Sequence, residues 1–161
     1  MPKVLISDSI DKIAAEILES NNIQVDIITD LSSDKLKEII SKYDGLIVRS
    51  ATKATKDIIE AGHNLKIIGR AGAGVDNIDL ETANKKNVIV MNTPGGNTNA
   101  TAEHTLSLLF SLARSIPLAN LSTHKGLWEK KKFKGNEIKG KMIGIVGFGN
   151  VGKRFAEMCF G

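Results

Sequence analysis

Short β-branched apolar runs alternate with amphipathic helical spacings over the first ninety or so residues. Val4-Leu5-Ile6-Ser7-Asp8 reads as a strand, and Ile13, Ile17 and Leu18 then recur at the spacing of one helical face. The alternation continues with residues 25–28 as strand, a helix from Ser33 as N-cap to Lys42, and residues 45–48 as strand. Residues 55–61 read as a short helix closed by Gly62, 66–69 as strand, 80–86 as helix and 88–91 as strand. Five strands joined by helices predict a parallel sheet. Runs without polar alternation, such as Leu46-Ile47-Val48, suit strands covered on both faces, which gives an α/β, flavodoxin-like layered unit.

The turn-rich stretch Asn92-Thr93-Pro94-Gly95-Gly96-Asn97-Thr98-Asn99 then reads as a hinge. A long helix is expected over residues 100–120, apolar on more than one stripe through Leu106, Leu108, Leu109, Leu112, Ala113 and Ile116, with Pro117 kinking or interrupting it. Residues 123–141, with Gly126, Gly135 and Gly140, read as a long loop. Met142-Ile143-Gly144-Ile145-Val146 has the character of a buried strand. It runs into Gly147-Phe148-Gly149-Asn150-Val151-Gly152, and helical character resumes over 154–158. In this context G-x-G-x-x-G has a mechanism: the first glycine permits a tight turn, the second admits a pyrophosphate to the backbone, and the third lets helix and strand pack closely. Gly147, Gly149 and Gly152, with Asn150 and Val151 between them, are candidate cofactor-binding residues. The alternative is a glycine-rich turn without a ligand.

Composition narrows the function classes. Among 161 residues, 22 Lys plus Arg against 18 Asp plus Glu leave +4 at pH 7, and only 4% are aromatic. Lysines are scattered rather than interleaved with aromatics, so a nucleic-acid platform is not expected. The single Cys159 excludes an intramolecular disulfide and a cysteine zinc site, which suits a reducing cytoplasm. No leader-like or membrane-spanning apolar stretch occurs, so neither export nor membrane insertion is expected. His63 and His124, placed in predicted loops, have no partner at metal-ligand spacing, and no metal is implied. Glu103 and His104 are helix neighbours about 100° apart, which argues against an acid/base pair.

Several motifs together resemble the D-2-hydroxyacid dehydrogenases, in their phosphoglycerate dehydrogenase branch. They are Arg49-Ser50-Ala51-Thr52, Gly69-Arg70-Ala71-Gly72-Ala73-Gly74-Val75-Asp76-Asn77, Met91-Asn92-Thr93-Pro94, Asn97 with Thr101-Ala102-Glu103, Leu112-Ala113-Arg114, Trp128 to Phe133 and the glycine motif. The resemblance covers nearly the whole chain. It implies residues 1–97 as the N-terminal part of a substrate-binding domain and 98–161 as the beginning of a Rossmann NAD-binding domain. That second part would hold a long interdomain and dimerisation helix, a loop, the first strand and the glycine motif.

It also implies NAD-dependent oxidation of 3-phosphoglycerate to 3-phosphohydroxypyruvate, the entry to serine biosynthesis, by a homodimer or higher oligomer. Another 2-hydroxyacid dehydrogenase, such as a glyoxylate or hydroxypyruvate reductase, and a dinucleotide-sensing corepressor on the same scaffold are the alternatives. Arg49, Ser50 and Arg70, at predicted strand ends, are expected to hold a phosphate; without the resemblance, surface salt bridges would be the simpler reading. The loop carrying Ala73 and Gly74 is expected to bind the substrate carboxylate, with Ala73 also beside the cofactor. Asn97 is expected near the reacting carbonyl and Thr101 near the cofactor. Lys130-Lys131-Lys132 is expected to be a solvated loop, or in an assembly to bring a cation to a neighbouring subunit.

The family's catalytic Arg, Glu and His are expected beyond Gly161, so no catalytic residue is assigned in this chain. The acidic residue expected about 20 positions after the glycine motif falls there too, which leaves NAD against NADP open. A dinucleotide fold needs more strands than remain, and the chain is therefore expected to be truncated and inactive alone.

Overall fold

In a computed structural model, residues 1–160 are described; Gly161, the last residue of the second expected domain, lies outside them. The chain forms two compact units, Met1–Gly96 and Asn97–Gly161.

The first unit is a five-stranded parallel sheet of order β2-β1-β3-β4-β5, built from β1 (Lys3–Ile6), β2 (Gln24–Ile27), β3 (Gly45–Val48), β4 (Ile67–Arg70) and β5 (Ile89–Asn92). Four helices connect them: α1 (Ile13–Ser20), α2 (Ser33–Ile39) continued by a 3₁₀ turn Ile40–Lys42, α3 (Lys56–Ala61) and α4 (Leu80–Lys85). A parallel strand pair needs such a crossover, and the strand order is that of a flavodoxin-like layer. Leu5, Leu46, Val48 and Ile68 are buried at the sheet centre, and Leu36, Ile40, Ile58, Ile59 and Ala83 from the helices close on them. The expectation of strands covered on both faces holds for the centre only. The edge strands β2 and β5, each with one strand neighbour, leave Ile27, Ile89 and Met91 exposed.

The sequence places most of these elements within a residue of their observed ends. Helix α2 is capped by Ser32 rather than Ser33: the Ser32 side chain accepts from the Lys35 N–H at 3.3 Å. Asp79 caps α4 in the same way, accepting from the Thr82 N–H at 2.9 Å.

The second unit holds α5 (Thr98–Ala113), α6 (Ile116–His124) and α7 (Asn150–Phe160), with α5 packed on α7 around Ala102 and Phe155. The interruption expected within residues 100–120 is a full break into two helices. The break falls at Arg114–Ser115, ahead of Pro117, and Ser115 takes a left-handed backbone (φ 52°). Proline lacks the N–H that would reach the Ala113 carbonyl and is tolerated in the first turn of a new helix, which is where Pro117 sits. The Ala113 carbonyl is satisfied instead by the Asn136 N–H at 2.7 Å. That approach leaves no room at Gly135, where φ is +61° and a methyl group would lie 2.6 Å from the Ala113 oxygen. Gly135→Ala is expected to destabilise the second unit by about 1–3 kcal/mol, read as a lowered urea midpoint; an unchanged midpoint would contradict the packing.

Two further expectations are corrected. Residues 142–146 do not form a strand: an isolated extended segment has no partner for its N–H and C=O groups, and among the described residues nothing pairs with it, so Met142 and Val146 are fully exposed. His124 lies not in a loop but at the last position of α6, its Nδ1 2.9 Å from the Asn120 carbonyl. No helix among the described residues is long and apolar enough to cross a membrane.

Candidate functional site

The C-terminal ends of β1, β3 and β4 lie side by side, where open parallel sheets receive ligands. Arg49 and Ser50 follow directly on β3 and are exposed; Arg70 is the last residue of β4. Their backbone is held from two sides by Asp8 and Asn77, neither of which is among the site residues expected from the sequence. Asp8, buried after β1, accepts from the N–H groups of Arg49 (2.6 Å), Ala51 (3.2 Å) and Thr52 (3.1 Å) and from the Thr52 hydroxyl (2.6 Å). Burial pushes the Asp8 carboxyl up, but the hydrogen bonds from Thr52, Arg49 and Ala51 outweigh it and hold it below its ordinary 3.8. From the other side Asn77 Nδ2 donates to the carbonyls of Arg49 (3.0 Å) and Thr52 (2.6 Å). The sequence signal available for Asp8 is an acidic residue closing an otherwise apolar strand; for Asn77 it is only its place at the end of the Gly69–Asn77 motif.

The Arg70 side chain is largely enclosed. Its Nε–H donates to the Arg49 carbonyl at 3.0 Å and its Nη1 pairs with Asp76, whose carboxyl is held low chiefly by that bond. The loop Ala71-Gly72-Ala73-Gly74 wraps this side chain and is tied to the end of β5: Thr93 N–H donates to the Gly72 carbonyl (3.0 Å) and Asn92 Nδ2 to that of Ala73 (2.7 Å). Ala73 and Gly74 are exposed, so their backbone can be approached from solvent. Thus Arg49, Ser50, Arg70, Ala73 and Gly74 gather at one edge of the first unit.

The remaining candidates lie on the second unit. Asn97 precedes α5 without capping it through its side chain, so its exposed amide is not spent there. Thr101 is one turn on, and its hydroxyl donates to the Asn97 carbonyl at 2.8 Å. Glu103 accepts from Asn99 Nδ2, and Asn99 Oδ1 in turn accepts from Arg154 Nε at 2.8 Å, which ties α5 to α7.

The three glycines of the turn before α7 differ in what they meet. Gly147 has φ +93°, a region that disfavours a side chain, and any Cβ at Gly152 would collide with the Gly147 carbonyl oxygen. Gly149 has no such reason: nothing lies within 4 Å of where its Cβ would be. The turn is followed directly by the eleven-residue α7, whose first N–H groups, from Asn150 onward, are the ones a helix leaves unpaired. An open glycine beside a helix N-terminus fits a diphosphate drawn close to the backbone.

The family model of the D-isomer specific 2-hydroxyacid dehydrogenase catalytic domain matches residues 4–155. The chain is 45% identical over 157 residues to D-3-phosphoglycerate dehydrogenase of Archaeoglobus fulgidus, covering 98% of this chain and 30% of that protein. It is 46% identical over 162 residues to hydroxypyruvate reductase of Thermotoga maritima, covering 99% and 53%. Among solved structures, the cofactor (NAD+)-bound 3-phosphoglycerate dehydrogenase of Entamoeba histolytica matches with a TM-score of 0.79 at 37% identity, over 99% of this chain and 50% of that one. The chain thus spans about a third to a half of the relatives it matches. With its five-stranded parallel sheet and its glycine turn, it belongs to the D-isomer specific 2-hydroxyacid dehydrogenases.

Proposed function

We propose that this chain supplies substrate-positioning residues and the diphosphate-binding turn of a dehydrogenase that oxidises the 2-hydroxyl of 3-phosphoglycerate, giving 3-phosphohydroxypyruvate, with NAD as acceptor. Residues 1–97 would belong to its substrate domain and 98–161 to its cofactor domain. The observation that carries the reading is Gly149, which lacks a side chain although nothing among the described residues requires it to. The names of the relatives, phosphoglycerate dehydrogenases among them, support the substrate.

Gly147, Gly149, Asn150, Val151 and Gly152 would hold the diphosphate, and Ala73 and Thr101 would adjoin the cofactor. NAD bound there supplies a hydride acceptor for the C2 hydrogen. The chain's own residues bind and orient. Arg49, an exposed guanidinium on a backbone clamped by Asp8 and Asn77, meets the phosphate with a bidentate fork, and Ser50 and Arg70 add donors beside it. The amides of Ala73 and Gly74 receive the carboxylate. The Asn97 amide donates to the oxygen at C2 and favours the carbonyl as it forms. The proton transfer is assigned to no residue of this chain.

A homodimer built on α5, α6 and the loop after them is supported by the apolar side chains these elements leave exposed, among them Leu112, Leu118, Leu121 and Trp128. A soluble cytoplasmic enzyme of serine biosynthesis suits this chemistry.

A second reading, reduction of hydroxypyruvate, is favoured by the likeness to the Thermotoga maritima reductase. Arg49 separates the two. In a dehydrogenase carrying this chain, Arg49→Gln is expected to lower kcat/KM for 3-phosphoglycerate by about a hundredfold, the loss of a charge-assisted bidentate contact, while kcat/KM for unphosphorylated D-glycerate changes little. An equal loss for both substrates would contradict the phosphate role.

A further inference from the structure

The pair between Arg70 and Asp76 is lopsided: the Arg70 side chain is 12% exposed and that of Asp76 82%. Arginine stays protonated at any ordinary pH. The two charges therefore cancel, and an anion arriving at the ends of β3 and β4 meets Arg49, which makes no salt bridge among the described residues, but Arg70 as a cation already matched. The pair is not needed to hold the loop. The Arg49 carbonyl accepts from Arg70 Nε and from Asn77 Nδ2, and Asn77 also binds the Thr52 carbonyl, so the scaffold bonds run through other atoms than Asp76. Gly72 and Gly74 leave the space beside the guanidinium free: a methyl group at Gly74 would stand 3.2 Å from Arg70 Nη1 and 3.1 Å from Asp76 Oδ1, within the reach of an incoming ligand.

We propose that Asp76 is a resident competitor of the anion at this edge, holding a donor of Arg70 and cancelling its charge, and thereby a specificity-determining residue that tunes affinity for phosphate groups. The proposal rests on the reading of Arg49 and Arg70 as anion-binding residues. An exposed carboxylate leaves its partner at little cost, so a phosphate can take its place, but the exchange weakens binding by the value of the pair.

The test is titration of the 161-residue chain with inorganic phosphate and with 3-phosphoglycerate, followed by the NMR shifts of the Gly72 and Gly74 amides. Asp76→Asn is expected to bind phosphate about fivefold more tightly than the parent chain, the factor an exposed ion pair supplies at its upper end, and Asp76→Glu to return to the parent affinity. Tighter binding is a gain that a merely structural residue would not give when removed. If Asp76→Asn binds no more tightly, while Arg49→Gln abolishes binding in the parent, the competitor role is overturned and the anion reading stands. If Arg49→Gln leaves phosphate binding intact, the anion reading itself falls, and this proposal with it. Asp76→Ser, which removes the same charge from an exposed position, carries the same expectation should Asp76→Asn fail to fold.

Discussion

Asp8→Ala is expected to destabilise the first unit by about 3 kcal/mol or more, because three backbone N–H groups and a hydroxyl lose their shared acceptor in a buried position. The effect should exceed that of any exposed carboxylate in the unit, and a urea melt followed by amide dispersion reads it directly. A change below about 0.5 kcal/mol, the scale of ordinary surface substitutions, would show that the Arg49–Thr52 segment is held by something else. The same group sets an acid limit. Its carboxyl titrates lower in the folded than in the unfolded chain, so its contribution is complete above the ordinary value of 3.8 and is lost as pH falls below that, through its lower folded value. Stability of the parent chain should therefore drop below about pH 4, and that part of the acid limb should vanish in Asp8→Asn. Since Arg49 is read as an anion-binding cation of this edge, loosening its backbone is expected to weaken phosphate binding in parallel with stability.

The second large effect lies in the glycine turn, and its two parts separate folding from binding. Gly152→Val places a branched side chain against the Gly147 carbonyl, so α7 cannot start where it does; loss of its packing on α5, seen in the Phe155 and Ala102 signals, is expected along with loss of any dinucleotide binding. Among the described residues nothing lies within 4 Å of a Cβ at Gly149, so with Gly149→Val the unit should fold with a stability change below about 1 kcal/mol. The valine would nonetheless occupy the approach of a diphosphate, and binding should fall by at least about a hundredfold, the penalty for displacing a group from hydrogen-bonding range of the backbone amides.

How far the sequence alone reaches follows from the range of the interactions. The strands β1 to β5 and helices α1 to α4 are legible because their signals are local: β-branched runs, a helical period, a cap and a closing glycine. Pro117 announces an interruption, but it does not place the break at Ser115, because the carbonyl it releases is that of Ala113 and the partner that satisfies it, Asn136, is more than twenty positions on. Residues 142–146 carry every local mark of a buried strand and still do not form one, for a strand is defined by its neighbour and none is among the described residues.

The candidate site divides in the same manner. Arg49, Arg70 and the glycine turn stand out in the sequence through motif and resemblance. The hold on Arg49 by Asp8, from 41 positions away, and by Asn77, from 28, is seen only when β1, β3 and β4 are laid side by side. Arg70 agrees with the simpler alternative stated for a strand-end arginine, a salt bridge: six positions on, Asp76 pairs with it.

The most direct measurement is an NMR titration of the 161-residue chain with NAD, compared with the Gly149→Val chain. Saturable shifts centred on the amides of Gly149, Asn150, Val151 and Gly152, absent in Gly149→Val although its spectrum is otherwise that of the parent, are the predicted result. Shifts that avoid this turn, or that persist undiminished in Gly149→Val, would contradict the assignment of the turn to a dinucleotide's diphosphate.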